Sequence, residues 1–273
     1  MKKSTMRNDL EGEMNEKKYM IGLSGGINSM AVLCWLIEQP DKPKEIHLYY
    51  AHFDEHSEGT LDFVLDGILL AQKHFDKVHF KITYNSVLSY FEEQKMIPHP
   101  MVSPCSRELK IEPVIQYAFE HGIQVDLIGY VKHELKRRAG GQQAKQKTEL
   151  FGLEKQYPVG EFTDEWCFEI VDKWLGYHPT IYDIIWTEED FLEGLCSKRD
   201  IGKRVFLHNN CLPCKNMTLK QMKAVKKYFP EKHLLAMKLS ATLGKFFGRD
   251  KDQFYAEFGR ELGQDVTCEA CKF

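Results

Sequence analysis

No run of the 273-residue chain approaches the roughly 20 apolar residues that a membrane-spanning helix requires, so no membrane partner is expected. The polar opening MKKSTMRNDLEGEMNEKK likewise lacks the apolar centre of a signal peptide, and a cytoplasmic location is the expectation. Neither sign of charge is in excess. Lys and Arg number 37 against 40 Asp and Glu, a formal net charge of −3, which argues against a nucleic acid held by overall basicity and leaves only local basic patches for such a partner. Internal repeats and low-complexity tracts are absent as well. The eight cysteines are not expected to form a disulfide framework in a reducing compartment, so metal binding, redox chemistry and burial must share them.

What is present is a core-forming chain, 43% hydrophobic, in which strand and helix patterns alternate. Residues 1–17 are polar without apolar periodicity and are expected to form a frayed arm. Tyr19–Leu23 reads as a short buried strand, and 29–38, with Met30, Leu33, Cys34 and Ile37 at helical spacing, reads as a helix. The order repeats with a strand Glu45–Phe53, a helix 61–74, a strand 77–83 and a helix from about Ser86. An amphipathic stretch 107–120 then leads to an apolar strand 126–130. Such alternation predicts an α/β fold, a doubly wound and mostly parallel sheet covered on both faces.

Residues 132–157, polar and interrupted by Gly140-Gly141, are expected to form a mobile segment beside that sheet. Beyond them the pattern turns helical, at 163–175, 188–196, 218–228, 232–243 and 251–262. The expected organisation is therefore an arm (1–17), an α/β domain (18–158) and a mainly helical C-terminal region (159–273) packed on it.

Between the first strand and the first helix lies Ser24-Gly25-Gly26-Ile27-Asn28-Ser29. The paired glycines let the backbone approach an anion closely, the N–H groups opening the following helix add a partial positive charge, and Ser24 and Ser29 supply hydroxyl donors. These properties suit the phosphates of a nucleotide. No Gly-Lys-Ser or Gly-Lys-Thr follows, which excludes a Walker A loop.

The loop resembles the PP-loop, Ser-Gly-Gly-x-Asp-Ser, of the ATP pyrophosphatase and adenine nucleotide α-hydrolase superfamily. The chain is similar in particular to the branch containing phosphoadenosine phosphosulfate (PAPS) reductases. The segments that carry the likeness follow in order: Phe53-Asp54 with Thr60 to Val64, Cys105 to Pro113, Ile128-Gly129-Tyr130 with Glu134 and Arg138, Tyr157-Pro158, and Asn210-Cys211-Leu212-Pro213-Cys214. The resemblance implies an adenine nucleotide-binding site built from Ser24, Gly25, Gly26, Asn28, Ser29, Asp54 and Gly129, with ATP, PAPS or adenosine phosphosulfate (APS) and Mg²⁺ as cofactors. Two departures stand out. Asn28 replaces the loop aspartate and is a poorer ligand for a hard cation. Tyr130 and Val131 fall where the family often has an arginine.

Arg107 and Lys110 are three residues apart and would share a helix face that meets phosphate or sulfate. Lys132, Lys136, Arg137 and Arg138 lie just past a strand end, where open α/β sheets place ligands. Charge building on departing pyrophosphate calls for such cations, so Arg107, Lys110 and Arg138 are the catalytic candidates.

Cys211 and Cys214 form one pair with chelate spacing, and Cys268 and Cys271 form another. Together they could complete a four-sulfur zinc site. The resemblance implies a different set: a [4Fe-4S] cluster on Cys105, Cys211 and Cys214, with a fourth ligand from Cys268 or Cys271. A redox role for the Thr-Cys-Glu-Ala-Cys tail is the third arrangement. Cys34, Cys167 and Cys196 are expected in the core.

Three functions follow as alternatives. The first is cleavage of the α–β bond of ATP to adenylate an acceptor, with sulfur transfer as a sequel. The second is reduction of a sulfonucleotide, and the third is nucleotide binding without turnover in an accessory protein of a defence or mobile-element system. The resemblance leaves sulfate, tRNA and DNA open as acceptors.

Overall fold

A computed structural model describes residues 17–98, 103–138 and 152–243. Its centre is a parallel sheet of five strands in the order β3-β2-β1-β4-β5. These are β1 (Tyr19–Leu23), β2 (Glu45–Phe53), β3 (Lys77–Asn85), β4 (Val125–Leu127) and β5 (Glu154–Gln156). The chain winds outward from β1 through β2 to β3, then returns to place β4 on the other side of β1. That reversal opens a crevice at the C-terminal ends of β1 and β4, where open α/β sheets bind their ligands.

Side-chain alternation assigns the two faces. Ile21, Ile46, Leu48 and Tyr50 point to a large core beneath α1 (Ile27–Ile37), α2 (Thr60–His74) and a later helix, Asp164–Leu175, which packs on α1. Met20 and Tyr49 point to a smaller core, where they meet Tyr117 and Ala118. The doubly wound expectation is thereby met. Helix α1 is buried on most of its surface, including Cys34. Its sequence is apolar almost all round, as a helix held between sheet and helices requires.

Further along come α3 (Val87–Glu93) and a short helical turn α4 (Pro104–Ser106). Ser86 caps α3, and the buried Glu55 carboxylate accepts from Ser86 Oγ and from the N–H groups of Val87 and Leu88. A π-helical turn, Arg107–Ile111, then precedes α5 (Glu112–Glu120). The amphipathic stretch 107–120 therefore opens on a wider turn. Pro113 has no N–H to return to the carbonyl of Leu109 and its ring crowds that carbonyl, which accounts for the wider turn ahead of it.

The expectation of a mobile segment at 132–157 is corrected at both of its ends. Lys132–Arg138 is a helix, α6, and Glu154–Gln156 is the fifth strand. The strand is three polar residues long and is held by backbone pairing with β4, so side-chain pattern carries no sign of it. Gly140-Gly141 lie outside the described residues.

The helical C-terminal region consists of α7 (Asp164–Leu175), α8 (Glu188–Leu192), α9 (Leu219–Tyr228) and α10 (Pro230–Leu243). Thr163, Thr187 and Thr218 cap the first three through their side chains. Cys167 is buried as expected, whereas Cys196 is only partly buried. The helix expected at 251–262 lies outside the described residues. Among the described residues no helix is long and apolar enough to cross a membrane.

Candidate functional site

The Ser24–Ser29 loop occupies the crevice between β1 and β4. A cleft of about 210 Å³ is lined by Ser24, Gly26, Asn28 and Ser29 from the loop, by Ile128, Gly129 and Tyr130 after β4, and by Lys110, Tyr182 and 207–210. The loop is held in a compact turn by its own hydroxyls. Ser29 Oγ accepts from Ser24 N at 3.0 Å and donates to the Gly26 carbonyl at 3.0 Å, and Ser24 Oγ lies 3.0 Å from Ser29 Oγ.

Two glycines are required by this geometry. Gly25 has φ +74°, and a Cβ on it would stand 2.4 Å from Thr60 Cγ2. A Cβ on Gly129 would stand 2.6–2.8 Å from the backbone of Asn28 and Ser29, which cannot retreat. Gly129 thus lets the strand end lie directly against the loop.

Sequence reasoning passed over the residues that lock the loop from outside. Asn209 is buried; its Nδ2 donates to the Gly25 carbonyl at 2.9 Å and to Thr60 Oγ1 at 2.8 Å, and its Oδ1 accepts from Ser57 Oγ at 3.1 Å. Tyr182, also buried, accepts at Oη from Ile27 N and Asn209 N. Their only sequence signal is the place of Asn209 two residues before Cys211, beside a motif already singled out.

Asn28 sits between two carboxylates. Its Nδ2 donates to Glu134 at 3.4 Å and to Asp164 at 3.3 Å, while its Oδ1 is buried without a partner. Asp164 was not among the expected site residues.

A second cavity of about 450 Å³ adjoins the first. Cys105, Cys211 and Cys214 line it together with Ser106, Lys215, Met217 and Gln221, and Lys110, His208 and Asn210 line both cavities. Burial pushes the Cys211 thiol up to about 12, with Lys110 opposing and Cys214, Glu55 and Cys105 adding to the rise. Burial and the neighbouring Cys214 also raise Cys105, against Lys215 and Lys110. Three thiols close enough to influence one another disfavour shared ionisation unless a cation compensates.

No family model matches the chain. Over 186 residues it is 27% identical to the tRNA-specific 2-thiouridylase MnmA of Acetivibrio thermocellus, a match covering 56% of this chain and 50% of that protein. The chain thus matches half the length of this relative. Its loop, its strand order and this relative agree. All three make the chain similar to PP-loop adenine nucleotide α-hydrolases.

Solved structures similar to it include the U34-tRNA thiolase NcsA from Methanococcus maripaludis with its [4Fe-4S] cluster. That match has a TM-score of 0.44 at 12% identity, over 87% of this chain and 76% of that one. The PAPS reductase from Candida auris in its phosphate complex has a TM-score of 0.42 at 13% identity, over 60% and 76%. The NMN synthetase from Francisella tularensis has a TM-score of 0.42 at 16% identity, over 80% and 85%.

Of the residues expected to hold a nucleotide or its phosphates, Ser24, Gly26, Asn28, Ser29, Gly129 and Lys110 line the 210 Å³ cleft. Lys110 also stands over the Phe53 ring, 4.6 Å from its centroid. The shared face expected for Arg107 and Lys110 is corrected, because the π turn gives more than four residues per turn and separates them. Arg107 is exposed, pairs with Glu108 and Glu112, and lines neither cavity. Asp54 is exposed and lines neither cavity; its carbonyl accepts from Lys232 Nζ at 2.8 Å. Arg138 ends α6, with its side chain outside the described region, as are Cys268 and Cys271 altogether.

Proposed function

We propose that this PP-loop protein adenylates an acceptor carbonyl with ATP and then replaces the activated oxygen by sulfur, with a tRNA nucleobase as acceptor. The observation that carries the reading is the contiguity of the two cavities: the nucleotide cleft and the three-cysteine cavity share Lys110, His208 and Asn210. Sulfur delivered from the cysteines would arrive beside the activated phosphate. The tRNA acceptor comes from the thiouridylase relative, and the basic sequence of α6 suits a polyanion.

The chemistry balances without an oxidant. The acceptor oxygen attacks the α-phosphorus, the α–β bond breaks and pyrophosphate leaves. Hydrosulfide then attacks the adenylated carbon, the carbon–oxygen bond breaks and AMP leaves, so a carbonyl becomes a thiocarbonyl. Loop N–H groups, the Ser24 and Ser29 hydroxyls and Lys110 stabilise the departing pyrophosphate. The carboxylates of Glu134 and Asp164 would hold Mg²⁺, as hard oxygen ligands beside the loop. With a cation there, the Asn28 amide would turn over, and its orphaned Oδ1 would join them.

The cysteine cavity fits a cluster better than a single zinc. Zinc–sulfur bonds of about 2.3 Å in a tetrahedron bring sulfurs to roughly 3.8 Å from one another. Among the described residues, the trio of ligand atoms that closes to within 4.8 Å is Glu45, His47 and His79, not the cysteines. Cys105, Cys211 and Cys214, spread around 450 Å³, would hold a [4Fe-4S] cluster, whose unligated iron corner would supply sulfide-binding chemistry.

The test is to reconstitute the protein anaerobically with iron and sulfide, incubate it with ATP, Mg²⁺, sulfide and unfractionated tRNA, and analyse the digested nucleosides by mass spectrometry. A thionucleoside that requires ATP and each of Cys105, Cys211 and Cys214 is the expected result. AMP formation without any thionucleoside would overturn sulfur transfer and leave adenylation standing. Sulfite released from PAPS in its place would favour the reductase alternative.

A further inference from the structure

Toward the opposite end of the strands from the Ser24–Ser29 loop, Glu45, His47 and His79 each bring one ligand atom within 4.8 Å of the others. His47 pairs with Met20 in the sheet, so this cluster stands four residues of rise below Ser24, on the order of 13 Å. His47 and His79 are direct register partners on β2 and β3. Their rings stack with centroids 4.4 Å apart and planes 11° apart. Glu45, two residues before His47, lies on the same face of the strand.

The carboxylate stands at ligand spacing from both rings. Glu45 Oε1 is 3.3 Å from His47 Nε2 and 3.1 Å from His79 Nε2. A tetrahedral ion with bonds of about 2.0–2.1 Å holds neighbouring ligand atoms roughly 3.3 Å apart. Lys77 takes the other carboxylate oxygen, Oε2, at 3.3 Å, which leaves Oε1 to the two imidazoles. His79 Nε2 is a buried atom with no hydrogen-bond partner.

The support behind the cluster is of the kind metal ligands use. His47 Nδ1 lies 3.1 Å from Tyr117 Oη. With Nε2 as the ligand atom, Nδ1 carries the proton and donates it to Tyr117, which fixes tautomer and ring orientation. Glu45 and His79 are each about a third exposed, which gives an ion an entry path and a water as fourth ligand.

We propose that Glu45, His47 and His79 form a divalent transition-metal site of zinc type that pins the edge strand β3 to β2. Two imidazoles and one carboxylate are a zinc-type donor set, and the open fourth position faces solvent. None of these residues touches either cavity of the PP-loop site.

The probe is Co²⁺, titrated into the purified full-length protein at neutral pH and followed by absorption. The expected result is saturable ligand-field bands in the visible range, displaced by Zn²⁺, that persist when Cys105, Cys211 and Cys214 are replaced by Ser. His79→Gln and Glu45→Gln, which alter partly exposed side chains, should each abolish these bands while leaving the circular dichroism unchanged. Tyr117→Phe should weaken Co²⁺ affinity about tenfold without removing the site. No ligand-field bands, bands that survive both Gln variants, or bands that vanish when Cys105, Cys211 and Cys214 are replaced by Ser would each overturn the proposal. Should either Gln variant misfold, a wild-type melting temperature that does not rise with Zn²⁺ would overturn it equally.

Discussion

Asn209 donates its side-chain amide to the carbonyl of Gly25, 184 residues earlier in the chain, at 2.9 Å. The same amide reaches Thr60 Oγ1 at 2.8 Å, so one buried side chain fastens the PP-loop to the start of α2. The loop's shape therefore depends on the segment that leads into Cys211 and Cys214. Asn209→Ala leaves the Gly25 carbonyl and the Ser57 hydroxyl short of a partner and should cost about 2–4 kcal/mol of stability. Urea denaturation measures this, and ATP affinity should fall with it.

Gly129→Ala separates binding from folding. The added methyl would press on the Asn28 and Ser29 backbone at 2.6–2.8 Å and displace the loop from the strand end. At least a tenfold loss of ATP affinity is expected by calorimetry, with the circular dichroism spectrum preserved. Unchanged affinity would show that the loop tolerates displacement.

Asn28→Asp restores the usual PP-loop residue but places a third carboxylate within reach of Glu134 and Asp164. Repulsion raises the new carboxyl's folded pKa above its unfolded value. The cost is then absent when the group is protonated, grows as pH rises from about 4 through the folded pKa, and reaches about 1–3 kcal/mol at neutral pH. Mg²⁺ should recover that loss in the variant and have little effect on the stability of Asn28→Ala. Denaturation with and without Mg²⁺ checks both.

The helical C-terminal region carries its own pH signature at Asp190. Burial raises this carboxyl, but Lys227 at 2.9 Å, Thr187 and Tyr228 outweigh burial and hold it at about 2, against 3.8 when free. The carboxylate's contribution, about 2 kcal/mol, is present above pH 3.8 and is lost as pH falls through 2. Asp190→Asn should lower the stability at pH 6 by that amount and flatten the acid limb of the curve.

Legibility in the sequence followed the physics of each feature. The alternation of strands and helices and the phosphate loop were readable because they rest on apolar periodicity and on backbone conformations that glycine alone permits, whereas Gly129 came from the family resemblance. β5 was not readable, since Glu154–Gln156 is polar and is ordered by backbone pairing to β4. Lys110 was readable as a cation near the site, but the wider turn before Pro113 that turns Arg107 away was not. Asn209, Tyr182 and Asp164 reach the loop through long-range contacts that no local pattern reports. The same holds for Glu45, His47 and His79: period two puts the first two on one face, but only strand register brings the third beside them.

The central claim is that the PP-loop cleft cleaves ATP between its α- and β-phosphates. It is tested most directly by incubating the protein with α-labelled ATP, Mg²⁺ and unfractionated tRNA and resolving the labelled products. Labelled AMP with matching pyrophosphate, lost in Gly129→Ala, is the predicted result. Labelled ADP, or ATP that is bound and left intact, contradicts it.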